Sequence, residues 1–234
     1  MPDQAPAPQA AAIFDFNGTL VTGEVWQAIE SWMGGRSAWR RRKARMIARQ
    51  LPVILASKVG LVSADFMVRC WMPAAWATVR GMDERELAAL VQHAWETAFR
   101  PSMRERVAEM VRQHKADGYC TALVSATYEP FLAPVQEALG FDVVVGTRVE
   151  VSAGQVTGRV IGDTVTGAEK VRRVMAMDQD AERPIDLARS LAYADTERDL
   201  DLLQLVGHPV AVWPNARLEL IARRRKWPIL RDAG

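Results

Sequence analysis

The chain has 234 residues, 49% of them apolar, which permits one large folded domain or a core with a smaller partner and excludes an intrinsically disordered protein. A formal net charge of +2 makes no global electrostatic case for nucleic acid, and no such partner is expected. The two cysteines, Cys70 and Cys120, stand in unrelated contexts, so they imply neither a disulfide framework nor a metal cluster, and a reducing cytoplasm is the expected location.

Residues 1–10, rich in Pro, Ala and Gln, lack the basic start and apolar core of a signal peptide and read as a disordered lead-in. The apolar run Ala11-Ala12-Ile13-Phe14 then predicts a strand covered on both faces, which Asn17-Gly18 breaks into a loop. Asp15 is thereby left at the carboxyl edge of a sheet, where ligand chemistry gathers in parallel α/β architectures. A carboxylate there is a candidate nucleophile, although this stretch by itself also reads as an ordinary Asx turn.

From about Val21 to Phe99 the pattern is helix after helix, with no convincing alternation. Trp26, Ile29 and Met33 mark one amphipathic helix, and Asp83 with Glu86 has the spacing of a capping box ahead of Leu87, Leu90, Val91 and Ala94. Six of the eight tryptophans fall here, as packing residues between helices, as the lining of an apolar pocket, or as a membrane-facing patch. The basic groups Arg40 to Arg45 and Arg223 to Lys226 read as solvated helix faces. No uncharged apolar stretch reaches the roughly 18 to 20 residues of a membrane span; Leu51 to Val62 comes nearest and carries Lys58.

From Ser102 onward strands and helices alternate, the signature of a parallel sheet with crossover connections. A helix starts at Ser102 and Glu105 and stops at Asp117-Gly118. Strands are predicted over Tyr119 to Val124, Phe141 to Gly146, Ser190 to Ala194 and Val210 to Trp213, with helices over Glu129 to Leu139, Glu169 to Met177 and Thr196 to Val206. A hairpin occupies Val149 to Val160, with turns at Ala153-Gly154 and Thr157-Gly158.

Three later segments recast the first. Leu123-Val124-Ser125-Ala126-Thr127 puts a hydroxyl at a strand end, Glu169-Lys170 opens a helix with a cation, and Ala194-Asp195-Thr196-Glu197-Arg198-Asp199 runs from a strand into an acidic loop. Together they gather nucleophile, hydroxyl, cation and metal-binding carboxylates. This ordered set resembles the haloacid dehalogenase superfamily of phosphotransferases, over nearly the whole chain. The 110-residue gap between Asp15 and Ser125 is similar to that of members with a cap inserted after the first motif, such as phosphoserine phosphatases. Lys58-Val59-Gly60-Leu61, Gly146-Thr147-Arg148 and Gly207 to Val212 ahead of Trp227-Pro228-Ile229-Leu230 resemble the bacterial subfamily IB hydrolases more closely still.

The resemblance implies an α/β fold: a Rossmann-like parallel core, 11–21 and 100–234, with an inserted helical cap, 22–99. It implies hydrolysis of a small phosphate ester through an aspartyl-phosphate on Asp15. Mg²⁺ would be held by the Asp15 and Asp195 carboxylates and the Asn17 carbonyl, and Thr19 and Asp199 would support them. Ser125, Lys170 and the amides of Phe16, Asn17, Gly18 and Ala126 would grip the phosphoryl oxygens. Asp199 also reads as an acid placed for a helix dipole.

Asn17 departs from the pattern, because hydrolases of this family place there an aspartate that protonates the leaving group and then activates water. An amide does neither, and loss of such help typically removes about 10² to 10⁴ in rate. Three readings stay open: an engineered replacement, a slow or noncatalytic relative acting as a phosphate-binding or regulatory module, or substrates whose leaving groups need no proton. Glu24 matches in position a cap glutamate that reads the substrate amine in phosphoserine phosphatases, and Arg69 is a candidate carboxylate clamp. The basic, tryptophan-rich cap instead permits a larger or more apolar ester, including a lipid phosphate.

Overall fold

A computed structural model of the chain describes residues 7–180 and 183–231. Strand β1 (Ala11–Phe14) is followed by helices α1 (Val25–Met33), α2 (Ser37–Lys58), α3 (Ala64–Trp76), α4 (Glu84–Ala94) and α5 (Glu105–Ala116). Then come β2 (Cys120–Tyr128), α6 (Ala133–Leu139), β3 (Val143–Thr147), β4 (Val149–Ser152) and β5 (Gln155–Val160). The chain ends with α7 (Ala168–Asp180), β6 (Leu191–Ala194), α8 (Leu200–Leu205), β7 (His208–Val212), α9 (Ala216–Arg225) and β8 (Ile229–Leu230).

Six strands form one parallel sheet in the order β3-β2-β1-β6-β7-β8, so the fold is α/β as expected. The two faces of β1 explain its unbroken apolar sequence. Successive side chains point to opposite sides of a strand. Ala12 and Phe14 accordingly enter one core, with α1, α4 and α5, while Ala11 and Ile13 enter the other, with α7 and α8. All four are fully buried. The order reverses at β1, with β2 and β3 on one side and β6 to β8 on the other, which opens a crevice at the carboxyl ends of the central strands.

Several boundaries differ from the sequence expectations. Residues 1–6 of the expected lead-in lie outside the described residues, but Gln9 already pairs with Ile185 and accepts from Asp186 N–H at 2.9 Å. Ser102 does not cap α5. Its hydroxyl sits 2.5 Å from the Ala98 carbonyl and accepts from Gly23 N–H at 2.8 Å, tying the segment before α5 to the loop after β1. Strand β2 runs on to Tyr128, four residues past its expected end.

Gly154 turns the β4–β5 hairpin, but Gly158 lies inside β5 with φ +78°, where a Cβ would come within 3.1 Å of Ala77 Cα. It serves close approach to the helices between β1 and β2, against which the hairpin also bonds through Gly81 and Met82 to Val156 at 2.8 Å each. The capping box of Asp83 and Glu86 forms as expected, with Asp83 Oδ1 accepting from Glu86 N–H at 2.8 Å. No helix among the described residues is long and apolar enough to cross a membrane.

Candidate active site

Register places the chemistry. Phe14 pairs with Leu123 on one side and Tyr193 on the other, so Asp15 stands one residue beyond that level, and Ser125 and Asp195 two beyond, on three adjacent strands. Asp15, Ser125, Lys170 and Asp199 are buried, and each lines one cavity of about 500 Å³.

Lys170, in the first turn of α7, reaches across to Asp15 Oδ1 and Asp199 Oδ1, each at 2.6 Å. Burial acts to lower the lysine pKa, but the two carboxylates outweigh it and raise the value above that of a free lysine. The ammonium is therefore charged. Thr19 Oγ1, fully buried, donates toward Asp15 Oδ2 at 3.3 Å and Asp195 Oδ1 at 3.5 Å.

One ammonium faces three carboxylates. Oxygens of Asp15, Asp195 and Asp199 all lie within 4.8 Å of one another. Burial, then the negative charges of Asp15 and Asp199, push the Asp195 carboxyl up to about 7 against the pull of Arg198. Burial likewise raises Asp199, opposed by Lys170. Such an excess of hard oxygen donors fits a divalent cation, which would relieve the repulsion. Asp195 also explains Gly18, whose φ is +85° and where a Cβ would lie 2.0 Å from Asp195 Oδ2.

Asn17 lines the same cavity with its amide fixed at both ends. Its Oδ1 accepts from Thr127 Oγ1 at 2.7 Å and its Nδ2 donates to the Gly23 carbonyl at 2.9 Å. Ser125 Oγ accepts from Thr127 N–H at 3.0 Å. Thr127 was within reach of sequence reasoning: had β2 been carried past Val124, Ser125 and Thr127 would share a face by the two-residue period of a strand.

The other expected residues are placed as follows. Ala126 lines the cavity, whereas the Phe16 side chain is in the core against Phe99 and the Gly18 N–H is committed to the Val21 carbonyl at 2.7 Å. Glu24 lines the cavity; much of its surface is open, yet the crowding protein raises its carboxyl pKa, with Arg198 opposing and Asp15 adding. Arg69 is not brought there. It is exposed, lies in a neighbouring groove and faces Asp65 at 3.6 Å, four residues back on α3. Arg198, which carried no role in the sequence reading, lines the cavity instead, and its place inside the acidic loop was the signal. Arg104 was also missed; it donates to the Gly18 carbonyl at 3.3 Å and stacks on Trp213 at 4.2 Å, bracing the loop from behind.

The signature of the haloacid dehalogenase-like hydrolases matches residues 12–204, which include every strand that carries the site. The chain belongs to that family. Among its curated relatives is a phosphoserine phosphatase of Mycobacterium tuberculosis, 29% identical over 221 residues, covering 94% of this chain and 70% of the relative. A protein of unknown function from Bordetella pertussis Tohama I superposes with a TM-score of 0.78 at 27% identity, over 96% of this chain and 99% of that one. A phosphoserine phosphatase solved as a phospho-aspartyl intermediate analogue shares the fold, with a TM-score of 0.60 at 18% identity over 95% and 92% of the two chains. This chain is thus a haloacid dehalogenase-like hydrolase with a phosphoserine phosphatase among its relatives.

Proposed function

We propose that this hydrolase cleaves phosphate monoesters through an aspartyl-phosphate on Asp15, with Mg²⁺ as its metal. The observation that carries the reading is the buried Asp15 carboxylate, gripped by Lys170 on one oxygen and opening into the cavity. The carboxylates of Asp15 and Asp195 and the Asn17 carbonyl would hold the ion. When bound, it supplies positive charge that lets an anionic ester approach an anionic nucleophile. On this reading residues 22–99 act as a cap over a core of 11–21 and 100–234, and the two unpaired cysteines suit a cytoplasmic enzyme.

Lys170 orients Asp15 and offers its positive charge to the phosphoryl oxygens. Ser125, whose oxygen accepts from Thr127 N–H, still has its proton to donate to one of them. In the first step an Asp15 oxygen bonds to phosphorus as the ester P–O bond breaks, and the leaving alkoxide takes its proton from solvent. In the second, water attacks phosphorus, the bond to Asp15 breaks, and the water's proton is lost to solvent. Asn17 cannot ionise and so assists neither proton transfer. Thr127 and Gly23 hold its amide where an aspartate would accept from Thr127 and, protonated, donate to the Gly23 carbonyl.

Turnover is therefore slow, and Asn17→Asp raises it by about 10²- to 10⁴-fold. The test is phosphate release with Mg²⁺ by both forms, with intact mass recorded because Asn17-Gly18 can deamidate. Equal, robust rates in the two forms contradict the impairment. Asn17 is also what favours the second reading, a noncatalytic phosphate-binding module. An acid-stable, hydroxylamine-sensitive phosphate on Asp15 after incubation with substrate decides for the enzyme, and reversible ligand binding without it decides for the module.

A further inference from the structure

The wall that α1, α2 and α3 give the cavity is largely apolar. Trp26 and Ile29 of α1 and Met67, Trp71 and Met72 of α3 face it, with Ile54 from the inner side of α2. Trp26 and Trp71 meet edge to face at 5.5 Å, closing one side. A volume of about 500 Å³ falls in the range of pockets that hold molecules well beyond an amino-acid phosphate in size.

The outer side of the same helix is apolar too. Six of the ten large apolar side chains that stand exposed among the described residues fall between Ile47 and Phe66. Ile47, Leu51, Leu55 and Val59 recur every four residues and so form one row along α2 and its end, with Val59 at 72% and Leu61 at 78% exposure around the turn into α3. Arg41, Arg45 and Arg49, also exposed and four apart, form a second row, offset by two residues and so about 160° round the helix from the first. From Ser37 to Lys58 the helix carries seven Lys or Arg and no Asp or Glu. An exposed apolar row on a strongly cationic helix without acids suits contact with an anionic lipid surface.

The two surfaces adjoin on α2, since Ile54, Ser57 and Lys58 line the cavity while Leu55 and Val59 stand outside on the same turns. We propose that α2 and the turn after it dock on an anionic lipid surface, and that the cavity takes from it a phosphate monoester bearing a long apolar chain. The phosphate would meet Asp15 and Lys170, and the chain would run between α1 and α3 toward the exposed tip. This inference rests on the phosphomonoester reading above and narrows its substrate to a lipid phosphate.

The test has a binding arm and a turnover arm. In the first, the full chain is sedimented with phosphatidylcholine vesicles containing or lacking phosphatidylglycerol, beside the double variant Leu51→Glu, Leu55→Glu. Both side chains are exposed, so the variant keeps the fold, checked by circular dichroism. Binding is expected only with the anionic lipid, and the variant is expected to lose it at least tenfold. In the second arm the Asn17→Asp form is given glycerol 3-phosphate, phosphoserine and single-chain acylglycerol phosphates of rising chain length. KM is expected to fall roughly two- to fourfold for each methylene that enters the cavity. The Leu51→Glu, Leu55→Glu change should leave turnover of glycerol 3-phosphate unaltered.

Absence of vesicle binding, equal KM for tailed and tail-less esters, or a dimer that the double variant dissociates would each overturn the inference while leaving phosphate release intact. Vesicle binding without phosphate release from any ester, even with Asn17→Asp, would instead bring down the phosphomonoester reading and the lipid phosphate with it.

Discussion

Lys170 is the side chain on which the site's electrostatics turn. It is almost fully buried and is the shared partner of Asp15 and Asp199. Removing one member of a buried ion pair leaves an uncompensated charge, which typically costs about 3 to 5 kcal/mol. Lys170→Met should therefore lower unfolding stability by about that amount in urea titrations without metal, and abolish phosphate release. His114 shows how a residue far from the chemistry sets a pH response. Its Nε2 lies 2.7 Å from the Tyr193 hydroxyl, and its Nδ1 is buried without a hydrogen-bond partner among the described residues. Burial lowers its pKa below the ordinary 6.5, with Asp117 opposing. The unfolded chain then binds more protons just below pH 6.5, so this contribution to stability is full above that value and is lost as pH falls toward the lowered folded pKa. Between pH 7 and pH 5.5 the urea midpoint of the wild type should shift downward relative to that of His114→Phe, a comparison that cancels the opposite trend from the raised Asp195 carboxyl.

Among the elements, the helices between β1 and β2 hold their positions through a few polar contacts set in apolar packing. Tyr128, at the end of β2, donates to the Met72 carbonyl on α3 at 2.6 Å and packs on Trp76 at 4.6 Å, so the strand that carries Ser125 also anchors the helix that lines the cavity. Trp39 donates to Thr78 at 3.1 Å, while Trp39 and Trp76 are buried and Trp26 and Trp71 line the cavity. The tryptophans of this region thus divide between packing and pocket. Helix α4 starts on its capping box, remote from Asp15. Asp83→Ala should cost about 1 kcal/mol in thermal or urea unfolding and leave KM and kcat unchanged, because the cap satisfies backbone N–H groups and touches nothing in the cavity.

For the whole molecule, the excess of carboxylates over ammonium would couple folding to the binding of a divalent cation. A cation that binds only the folded state stabilises it by about 2.7 kcal/mol at ~100 times its dissociation constant. Mg²⁺ should therefore raise the urea midpoint of the intact chain, and Asp195→Asn should remove most of that increase. A midpoint independent of Mg²⁺ would count against the assignment of the acidic cluster. The sheet supplies the rigidity this requires. Phe14 stacks on Tyr193 at 4.5 Å and meets Phe141 edge-on at 5.9 Å, coupling β1 to the neighbouring strand and to the start of β3 behind the acidic edge.

By itself the sequence determined the α/β class, the strand under Asp15, and the meeting of Asp15, Ser125, Lys170 and Asp195 at one sheet edge, because local patterning and motif order carry that information. It also marked the α4 cap and the helix through Trp26, Ile29 and Met33. Only the tertiary structure decided what depends on neighbours distant along the chain. It sent Ser102 to Gly23, used Gly158 for close approach, committed the Gly18 amide within its own loop, and left Arg69 outside while bringing Arg198 in. Those outcomes follow from which backbone passes within a few ångströms of which side chain. The apolar wall of the cavity is of the same kind, since it exists only where α1, α2 and α3 pack together around one space.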